Sequence, residues 1–245
     1  MKKIYLFLFF TSISAIAQGT KFKSEVILET KLSCRAILVD DEKVRMGMDK
    51  GRYGFYDKKK DTTILKDIQS VARNTEFRSI AGTKEAIFIL AVGNPAMLIR
   101  IDKKTLEETV VYKEEHEKVF YDSMQFVDDL NGFAMGDPIE NCLAFIKTSD
   151  GGKTWQKVNC DVLPKVSEGE AAFATSNTNL TIKGKSIFMV SGGKKSRVFV
   201  SKDFGATWKV YETPIVQGET MTGIFTADFY NKKIGIIAGG NYMKQ

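Results

Sequence analysis

Four charged side chains recur at one position of a repeated apolar pattern, where together they could bind a charged ligand. The pattern occurs as Cys34-Arg35-Ala36-Ile37, Phe77-Arg78-Ser79-Ile80, Tyr121-Asp122-Ser123-Met124 and Gly169-Glu170-Ala171-Ala172, with a looser copy at Met221-Thr222-Gly223-Ile224. A cleft lined by charge focuses the electric field and suits a charged ligand or peptide. We therefore expect a binding ring of Arg35, Arg78, Asp122 and Glu170, with Thr222 as a weak fifth member. The other interpretation is mutual pairing, in which Asp122 and Glu170 neutralise the two arginines.

The sequence offers little for metal, cofactor or triad chemistry. His116 is the only histidine, and its charged neighbours within 114–118 indicate a solvated loop. A zinc centre or a Ser-His-Asp triad normally needs histidine in company. No glycine-rich loop follows a strand and opens a helix, so neither a nicotinamide nor a flavin site is expected. We therefore expect no metal site and no cofactor.

The first 17 residues have the pattern of a secretory signal peptide. Lys2 and Lys3 precede the apolar run 4–10, and Ala15-Ile16-Ala17 offers a cleavage site before Gln18. The run is too short to span a membrane. A buried N-terminal strand is the other interpretation, but no turn chemistry follows it. The sequence thus predicts a signal peptide over 1–17, and export of the mature chain to the periplasm or the medium.

Net charge argues against a nucleic-acid partner. It is +6 for the full chain and falls to +4 when Lys2 and Lys3 are removed. Such a modest excess, spread along the chain, indicates solubility rather than a dedicated nucleic-acid surface. We also expect no membrane span after removal of the signal peptide.

Two segments repeat one turn motif at an interval of 53 residues. The segments 148–155 and 201–208, called the box segments below, both fit Ser/Thr-x-Asp-x-Gly-x-Thr-Trp. Aspartate can accept hydrogen bonds from backbone N–H groups further along a turn, glycine supplies positive φ, and threonine and tryptophan suit the returning strand. The motif therefore predicts a tight hairpin with structural roles for Asp150, Gly152, Thr154, Trp155, Asp203, Gly205, Thr207 and Trp208.

The spacing of strands and turns predicts the elements that position these residues. Each unit reads as three apolar strands, an acidic turn and a fourth strand, with turns at Asp57, Asp102, Asp150 and Asp203 that lie 45 to 53 residues apart. Such a period, with four short strands per unit, is typical of a β-propeller. A β-sandwich and a β-helix are the alternative folds. Complete units are expected over 33–66, 77–112, 120–159 and 169–212.

The fifth unit stops after its second strand in this sequence. That leaves an apolar strand without its next neighbour, an edge that proteins normally avoid. Residues Ser24 to Glu29 read as a strand before the first unit, and such a strand often completes the last blade of a closed propeller. We expect a single all-β domain over 18–245, with four full blades, part of a fifth, and the character of a fragment of a longer propeller.

The box segments resemble the Asp-box of BNR, or sialidase-type, repeats. The sequence segments 132–138 and 168–174 are similar to those of BNR-repeat propellers of Bacteroidota. The overall sequence pattern also resembles that of propellers of the photosystem II assembly factor type. Sialidases use three arginines, an aspartate and a Tyr–Glu pair, with one arginine in an Arg-Ile-Pro motif. Arg35-Ala36-Ile37 and Arg78-Ser79-Ile80 only echo that motif, because the proline is absent.

Two functions follow as expectations. The first is a non-catalytic exported propeller that binds a cell-envelope protein, peptide or glycan through its channel face. The second is a glycoside hydrolase of sialidase type, although no catalytic residue can be assigned. A fold alone does not decide between them, because one fold hosts many functions.

Three cysteines allow one disulfide. If Thr148 faces Thr154 across the hairpin, Cys142 faces Cys160, and a directly opposed pair lies within disulfide reach. Export makes oxidation possible. The other interpretation is two free, packed thiols in a register shifted by one residue. Cys34 is expected to remain a free, buried thiol.

Overall fold

Antiparallel four-stranded sheets follow one another along the chain in the computed structural model, which describes residues 23–173 and 177–244. The only helical element in these ranges is a 3₁₀ turn at Cys160–Val162. Within them, no helix is long and apolar enough to cross a membrane. The predicted signal peptide, 1–17, lies outside the described residues.

The first three blades are simple four-stranded meanders. Blade 1 contains β1 (Cys34–Asp40), β2 (Lys43–Met48), β3 (Arg52–Asp57) and β4 (Thr62–Asp67). Blade 2 contains β5 (Phe77–Gly82), β6 (Ala86–Ala91), β7 (Ala96–Asp102) and β8 (Glu108–Glu114). Blade 3 contains β9 (Tyr121–Phe126), β10 (Gly132–Pro138), β11 (Leu143–Thr148) and a short β12 (Gln156–Lys157).

Blade 4 has the same path, but its first two strands are interrupted. The first is split into β13 (Glu170–Ala171) and β14 (Leu180–Lys183), and the second into β15 (Ser186–Val190) and β16 (Gly192–Gly193). β17 (Arg197–Ser201) and β18 (Lys209–Glu212) complete it. Blade 5 has β19 (Thr222–Phe229) and β20 (Gly235–Asn241), and Gly192 of β16 pairs with Gly223 of β19. The predicted units thus coincide with blades 1 to 4, followed by half a blade.

The hydrophobic core lies in layers between neighbouring blades. Ile80 and Ile89 belong to the layer between blades 1 and 2, and Phe88 and Met124 to the layer between blades 2 and 3. Blades 3 and 4 share a third layer, while blades 4 and 5 share a smaller one around Ile224 and Ala227. Because side chains alternate across each strand, every blade supplies one layer on each side. This arrangement fixes the blades in chain order around a common axis.

The box segments form matching turns. Thr154 donates to Asp150 from its backbone N–H (3.0 Å to Oδ1) and its hydroxyl (2.7 Å to Oδ2), and Thr148 Oγ1 donates to Oδ1 at 2.8 Å. In the second segment, Thr207 and Ser201 make the same three bonds to Asp203, at 2.9, 2.6 and 2.8 Å.

Glycine and tryptophan complete each box segment. Gly152 has φ of +77°, and a Cβ there would lie 2.3 Å from the Phe88 ring, so only glycine fits. Trp155 packs edge-on against Phe126 with ring centroids 5.7 Å apart. Trp208 does the same against Phe145 at 5.7 Å. The indole N–H groups differ: that of Trp208 donates to the Gly205 carbonyl at 3.1 Å, whereas that of Trp155 has no partner among the described residues.

The acidic turns of blades 1 and 2 are reduced versions of the same device. Asp57 Oδ1 accepts from the N–H groups of Lys59 and Lys60, and Asp102 Oδ1 from those of Lys104 and Thr105. An aspartate that accepts from backbone groups two and three residues on closes the turn without help from threonine or tryptophan.

The segment before blade 1 differs from the prediction. Residues 24–29 form no strand, so the predicted strand Ser24 to Glu29 is wrong. The Thr63 hydroxyl donates to the Ile27 carbonyl at 2.7 Å. A side-chain contact holds this segment against β4 in place of a backbone ladder.

The cysteines also differ in detail from the sequence argument. Cys142 and Cys160 form a disulfide with their Cα atoms 5.7 Å apart. The predicted register is wrong by one residue, because Lys147 pairs with Gln156. The two sulfurs meet because the chain leaves β12 and turns into the 3₁₀ helix at Cys160. Cys34, the first residue of β1, is free as expected but exposed rather than buried.

Candidate binding site at the upper face

The upper face is the end of the molecule at which the first strand of each blade begins, and three predicted site residues share one backbone feature there. Arg35, Arg78 and Asp122 are each the extra residue of a β-bulge in β1, β5 and β9. A bulge leaves its extra residue out of the ladder and re-aims the side chain. The repeat alignment was therefore correct for these three residues.

The two arginines meet at a carboxylate that the sequence analysis did not select. Glu76 Oε1 lies 3.3 Å from Arg35 Nε and 3.2 Å from Arg78 Nε. Arg78 also stacks on Phe120, with its guanidinium carbon 5.6 Å from the ring centroid. The Arg35 side chain stays 49% exposed, whereas that of Arg78 is 21% exposed. Pairing through Glu76 replaces the predicted neutralisation by Asp122 and Glu170.

Asp122 is the least compensated charge-bearing group of this face. It is 1% exposed, and neither carboxylate oxygen has a hydrogen-bond partner among the described residues. Burial, with Asp137 adding to it, raises the pKa of Asp122 well above the usual range, and Arg78 offsets only part of the increase. The environment of Asp122 therefore favours its neutral form over its carboxylate.

Asp137 is the neighbouring acid, and the sequence analysis missed it. Its Oδ1 accepts from the Ala172 N–H at 2.9 Å. Burial raises the pKa of Asp137 to about 6, although that hydrogen bond lowers it. The available signal was weak: Asp137 follows Gly136, at which the apolar run of the second strand of blade 3 ends. Its approach to Asp122 depends on the register of β9 and β10, which spacing alone does not define.

Glu170 and Thr222 do not belong to the predicted ring. Glu170 forms an ion pair with Arg197 of its own blade and accepts from the Ser191 hydroxyl at 2.5 Å. Thr222 Oγ1 donates to the Glu219 carbonyl at 2.8 Å and is buried. In the ladder, Phe225 is the bulge residue of blade 5. The prediction is wrong here because an insertion in blade 4 and a shift of three residues in blade 5 were invisible in the apolar pattern.

In blade 4, residues 172–173 and 177–178 lie between β13 and β14, where the other blades have a single bulge residue; these four residues are called the insertion below. Asn177 Oδ1 accepts from the Ser79 hydroxyl (2.5 Å) and the Met124 N–H (3.2 Å), and its Nδ2 donates to the Ile80 carbonyl (3.2 Å). Phe173 packs against Phe225 with ring centroids 5.0 Å apart. The insertion thus ties blade 4 to blades 2, 3 and 5 across the axis.

Below the insertion, a cavity of about 350 Å³ follows the axis. It is lined by first-strand residues of all five blades, among them Leu38, Gln125, Thr181, Lys183 and Asp228. Asn177 and Thr178 also line it, so the insertion contributes to the wall of this cavity.

An open groove of about 520 Å³ lies on the upper face between blades 3 and 4. Asp137, Glu140, Glu168 and Glu170 supply its acids, and Lys118 is its one basic lining residue among the described part of the chain. Since Arg197 neutralises Glu170, the other three acids dominate its charge. This acidic groove suits a cationic group.

The residues that could serve as a nucleophile, a metal ligand or a general base are poorly placed for those roles. Tyr121 donates to Glu114 at 2.7 Å, but it is fully buried in the layer between blades 2 and 3, and burial strongly raises its pKa. A buried phenol with a raised pKa is a poor nucleophile. Among residues 23–173 and 177–244, no three His, Cys, Asp or Glu side chains are grouped to hold a metal ion. His116 caps its own turn by accepting from the Lys118 N–H at 3.1 Å.

Comparison with solved structures decides the architecture. The structure of U3-55K aligns with a TM-score of 0.62 at 9% identity, over 90% of this chain and 64% of that chain. The WD40 repeats of RRP9 align with a TM-score of 0.61 at 8% identity, over 87% of this chain and 59% of that chain. This protein is a β-propeller.

The predicted fold class, an incomplete all-β propeller of four-stranded blades, is thereby confirmed. The chain spans about three fifths of the length of these two solved propellers. YCF48 bound to D1 peptide is also similar, with a TM-score of 0.44, 11% identity and coverage of 88% of this chain and 93% of that chain. No protein-family model matches the sequence, and no curated protein matches it.

Proposed function

We propose that this propeller is an exported, non-catalytic scaffold whose acidic groove binds a protein or peptide segment that carries a basic residue. The observation that carries the proposal is the upper face, where Asp137, Glu140 and Glu168 line an open groove beside the buried Asp122. A lysine or arginine side chain placed there would meet three acids that are balanced within the lining only by Lys118. The Arg35 guanidinium, half exposed on the same face, provides a contact for an acidic group further along the partner.

The proposal also includes membership of the Asp-box repeat family, which the resemblance of the box segments supports, and export from the cell. The signal-peptide pattern of residues 1–17 supports export, as does a disulfide between Cys142 and Cys160, because disulfides persist mainly in oxidising compartments. Expression in a bacterium with a periplasm should give a chain that begins at Gln18 and has one alkylatable thiol under denaturing, non-reducing conditions. A retained N-terminus with three reactive thiols would contradict export.

Fluorescence anisotropy with two defined probes tests the groove. We expect a labelled Lys/Gly peptide to bind the mature chain at least tenfold more tightly than a matched Glu/Gly peptide at pH 7.5, with a salt dependence typical of charge recognition. Asp137→Asn should weaken the basic probe about fivefold. Glu212→Gln, which removes an exposed charge on β18, serves as the control. Equal binding of both probes, or equal loss in the control, would contradict the proposal.

The pH dependence of the same binding provides an independent readout. Deprotonation of Asp137 creates the negative charge that attracts the probe, and its pKa is raised to about 6. Affinity for the basic probe should therefore increase as the pH rises from 5 to 7 and then level off. Asp137→Asn should flatten this profile.

A sialidase-type hydrolase remains the second function expected from the sequence, and the geometry does not favour it. Sialidases use three arginines, whereas here Arg35 and Arg78 come together and both form ion pairs with Glu76. Retaining glycosidases need an accessible nucleophile beside an acid, whereas Asp122 and Tyr121 are buried. Turnover of a fluorogenic sialoside that is abolished by Arg78→Ala would revive the hydrolase.

A further inference from the structure

The disulfide between Cys142 and Cys160 joins the chain segments that form the two walls of the acidic groove. On the blade 3 wall, Glu140 and Asn141 line the groove and lead directly into Cys142. On the blade 4 wall, the lining residues 166–171 follow the 3₁₀ turn that begins at Cys160. The bond is therefore a covalent link between the two walls.

Hydrogen bonds join the walls at the same place. Lys165 Nζ donates to Asn141 Oδ1 at 3.2 Å and to the Cys160 carbonyl at 3.0 Å. The Val166 N–H donates to the Asn141 carbonyl at 2.8 Å. If the disulfide were broken, only these hydrogen bonds would hold this part of the blade 4 wall against Asn141.

The same lysine lies beside one of the two sulfurs. Lys165 Nζ is 3.8 Å from Cys160 Sγ, a position in which the ammonium stabilises negative charge on that sulfur. In thiol–disulfide exchange, the sulfur that leaves carries this charge, and a stabilised thiolate leaves faster. The geometry therefore makes Cys160 the leaving sulfur and Cys142 the sulfur that is attacked.

A cleft beside the groove reaches the disulfide. Each cysteine is at most 7% exposed, yet both line an open cleft of about 340 Å³. Phe145 and Val158 supply apolar lining, and Glu140 is the one described residue that lines both the cleft and the groove. The cleft thus offers a small reductant a route to the disulfide that is separate from the groove.

We propose that the pair Cys142 and Cys160 is a thiol–disulfide exchange site, at which a dithiol reductant opens the covalent link between the groove walls. One thiolate of the dithiol attacks Cys142 Sγ, the bond between the cysteines breaks, and Cys160 leaves as a thiolate beside Lys165. The second thiolate of the dithiol then attacks the reductant's own sulfur in the mixed disulfide, and Cys142 leaves.

Two electrons pass from the dithiol to the protein in this exchange. The reductant becomes a disulfide, and the two protons that its thiols lose are taken up by the two cysteine thiolates. The exchange site stands on its own contacts, whereas its effect on ligand binding rests on the proposed function of the groove.

The rate of reduction tests the exchange site. The folded mature chain, with Cys34 blocked by alkylation, is treated with dithiothreitol at pH 7.5, and mass spectrometry follows the newly alkylated cysteines. Lys165→Gln should slow reduction about fivefold, and Lys165→Arg should restore most of the rate. If Lys165 only held the wall, its loss would loosen the segment and speed reduction.

Lys202→Gln is the matched control, because it removes an exposed lysine of the second box segment. It should react at the wild-type rate. A Lys165→Gln chain that is reduced as fast as the wild type, or faster, overturns the proposal. Equal slowing in the control overturns it as well, since the effect would then come from net charge.

Hydrogen exchange of the oxidised and reduced chains tests the link between the walls. Reduction should speed exchange at 139–142 and 163–171 and leave blade 2 strands at 86–102 unchanged. Unchanged exchange at 163–171, or unfolding of the whole chain, overturns the proposal.

Binding of the Lys/Gly peptide separates this inference from the proposed function. Reduction should weaken binding about fivefold, and the double variant Cys142→Ser/Cys160→Ser should bind as weakly without reductant. An oxidised chain that does not bind the peptide contradicts the groove function alone, because the rate and exchange measurements do not involve the peptide. Equal binding before and after reduction overturns control of the groove by the disulfide.

Discussion

At the residue scale, Asp122 is a buried group that lowers the stability of the fold, which indicates a role in binding. A buried carboxyl with no hydrogen-bond partner costs about 1–3 kcal/mol even when it is neutral. Its neighbours within the described residues do not compensate: Arg78 is engaged with Glu76, and Asp137 adds like charge. A group of this kind, next to an acidic groove, is typical of binding sites.

Substituting Asp122 with asparagine should stabilise the protein most at high pH. Its pKa is raised in the folded state, so the folded chain binds the proton more tightly, and stability falls as the pH increases above the unfolded pKa near 4. Asp122→Asn removes this loss. Urea denaturation at pH 4.5 and 7.5 should show a gain for the variant that grows with pH. An equal destabilisation at both values would show that the carboxyl is needed structurally.

The box aspartates should behave in the opposite way. Burial tends to raise the pKa of Asp150, but hydrogen bonds from Thr154 and Thr148 dominate and lower it to about 2. Since the folded pKa is depressed, the stabilisation is present above the unfolded pKa and disappears as the pH falls towards 2.

Asp150→Ala should therefore cost about 1–2 kcal/mol at pH 7, a figure kept small because the side chain is only partly buried. Asp161→Ala, at an exposed position two residues before the buried Leu163, should change stability by less than about 0.5 kcal/mol. Chemical denaturation of both variants at pH 7 provides the comparison. Equal effects would mean that the box segment does not hold its hairpin.

At the scale of elements, the insertion is the feature that distinguishes blade 4. Asn177 alone satisfies the Ser79 hydroxyl, the Met124 N–H and the Ile80 carbonyl on two other blades. An internal brace of this kind restrains the blades against one another, which an open propeller needs more than a closed one.

Asn177→Ala should destabilise the protein by about 2–3 kcal/mol, because it leaves buried polar groups on blades 2 and 3 without partners. Asn231→Ala is the matched control, since its side chain only caps its own turn through Lys233 and Ile234. The readout is the free energy of unfolding in urea. A loss no larger than that of the control would mean that the insertion does not brace the axis.

The elements also show where prediction from sequence succeeds. The four complete units and the hairpins at Asp57, Asp102, Asp150 and Asp203 were predictable, because apolar alternation and turn chemistry are local signals. The insertion was not, since its residues resemble those of an ordinary strand. Glu170 was misplaced for this reason. Glu76 and Asp137 were missed because their contacts depend on bulges and on packing between blades.

At the scale of the whole molecule, the row of blades explains the proposed binding surface. Radial packing buries one hydrophobic layer between each pair of neighbouring blades. It also gathers the first-strand bulges of successive blades at one end, where the acidic groove opens between blades 3 and 4. The alternation of apolar residues along each strand and a repeat period near 48 residues are enough to predict the row of blades. They do not predict the charge that the upper face presents.

The hydrogen-exchange footprint of the bound Lys/Gly peptide tests the central claim, that the upper face binds a basic segment. The account predicts slower exchange at 137–141 and 166–171, which line the groove, and no change at the lower-face turns 149–153 and 202–206. Protection confined to those lower turns or to the outer strands β4, β8 and β18 would contradict it.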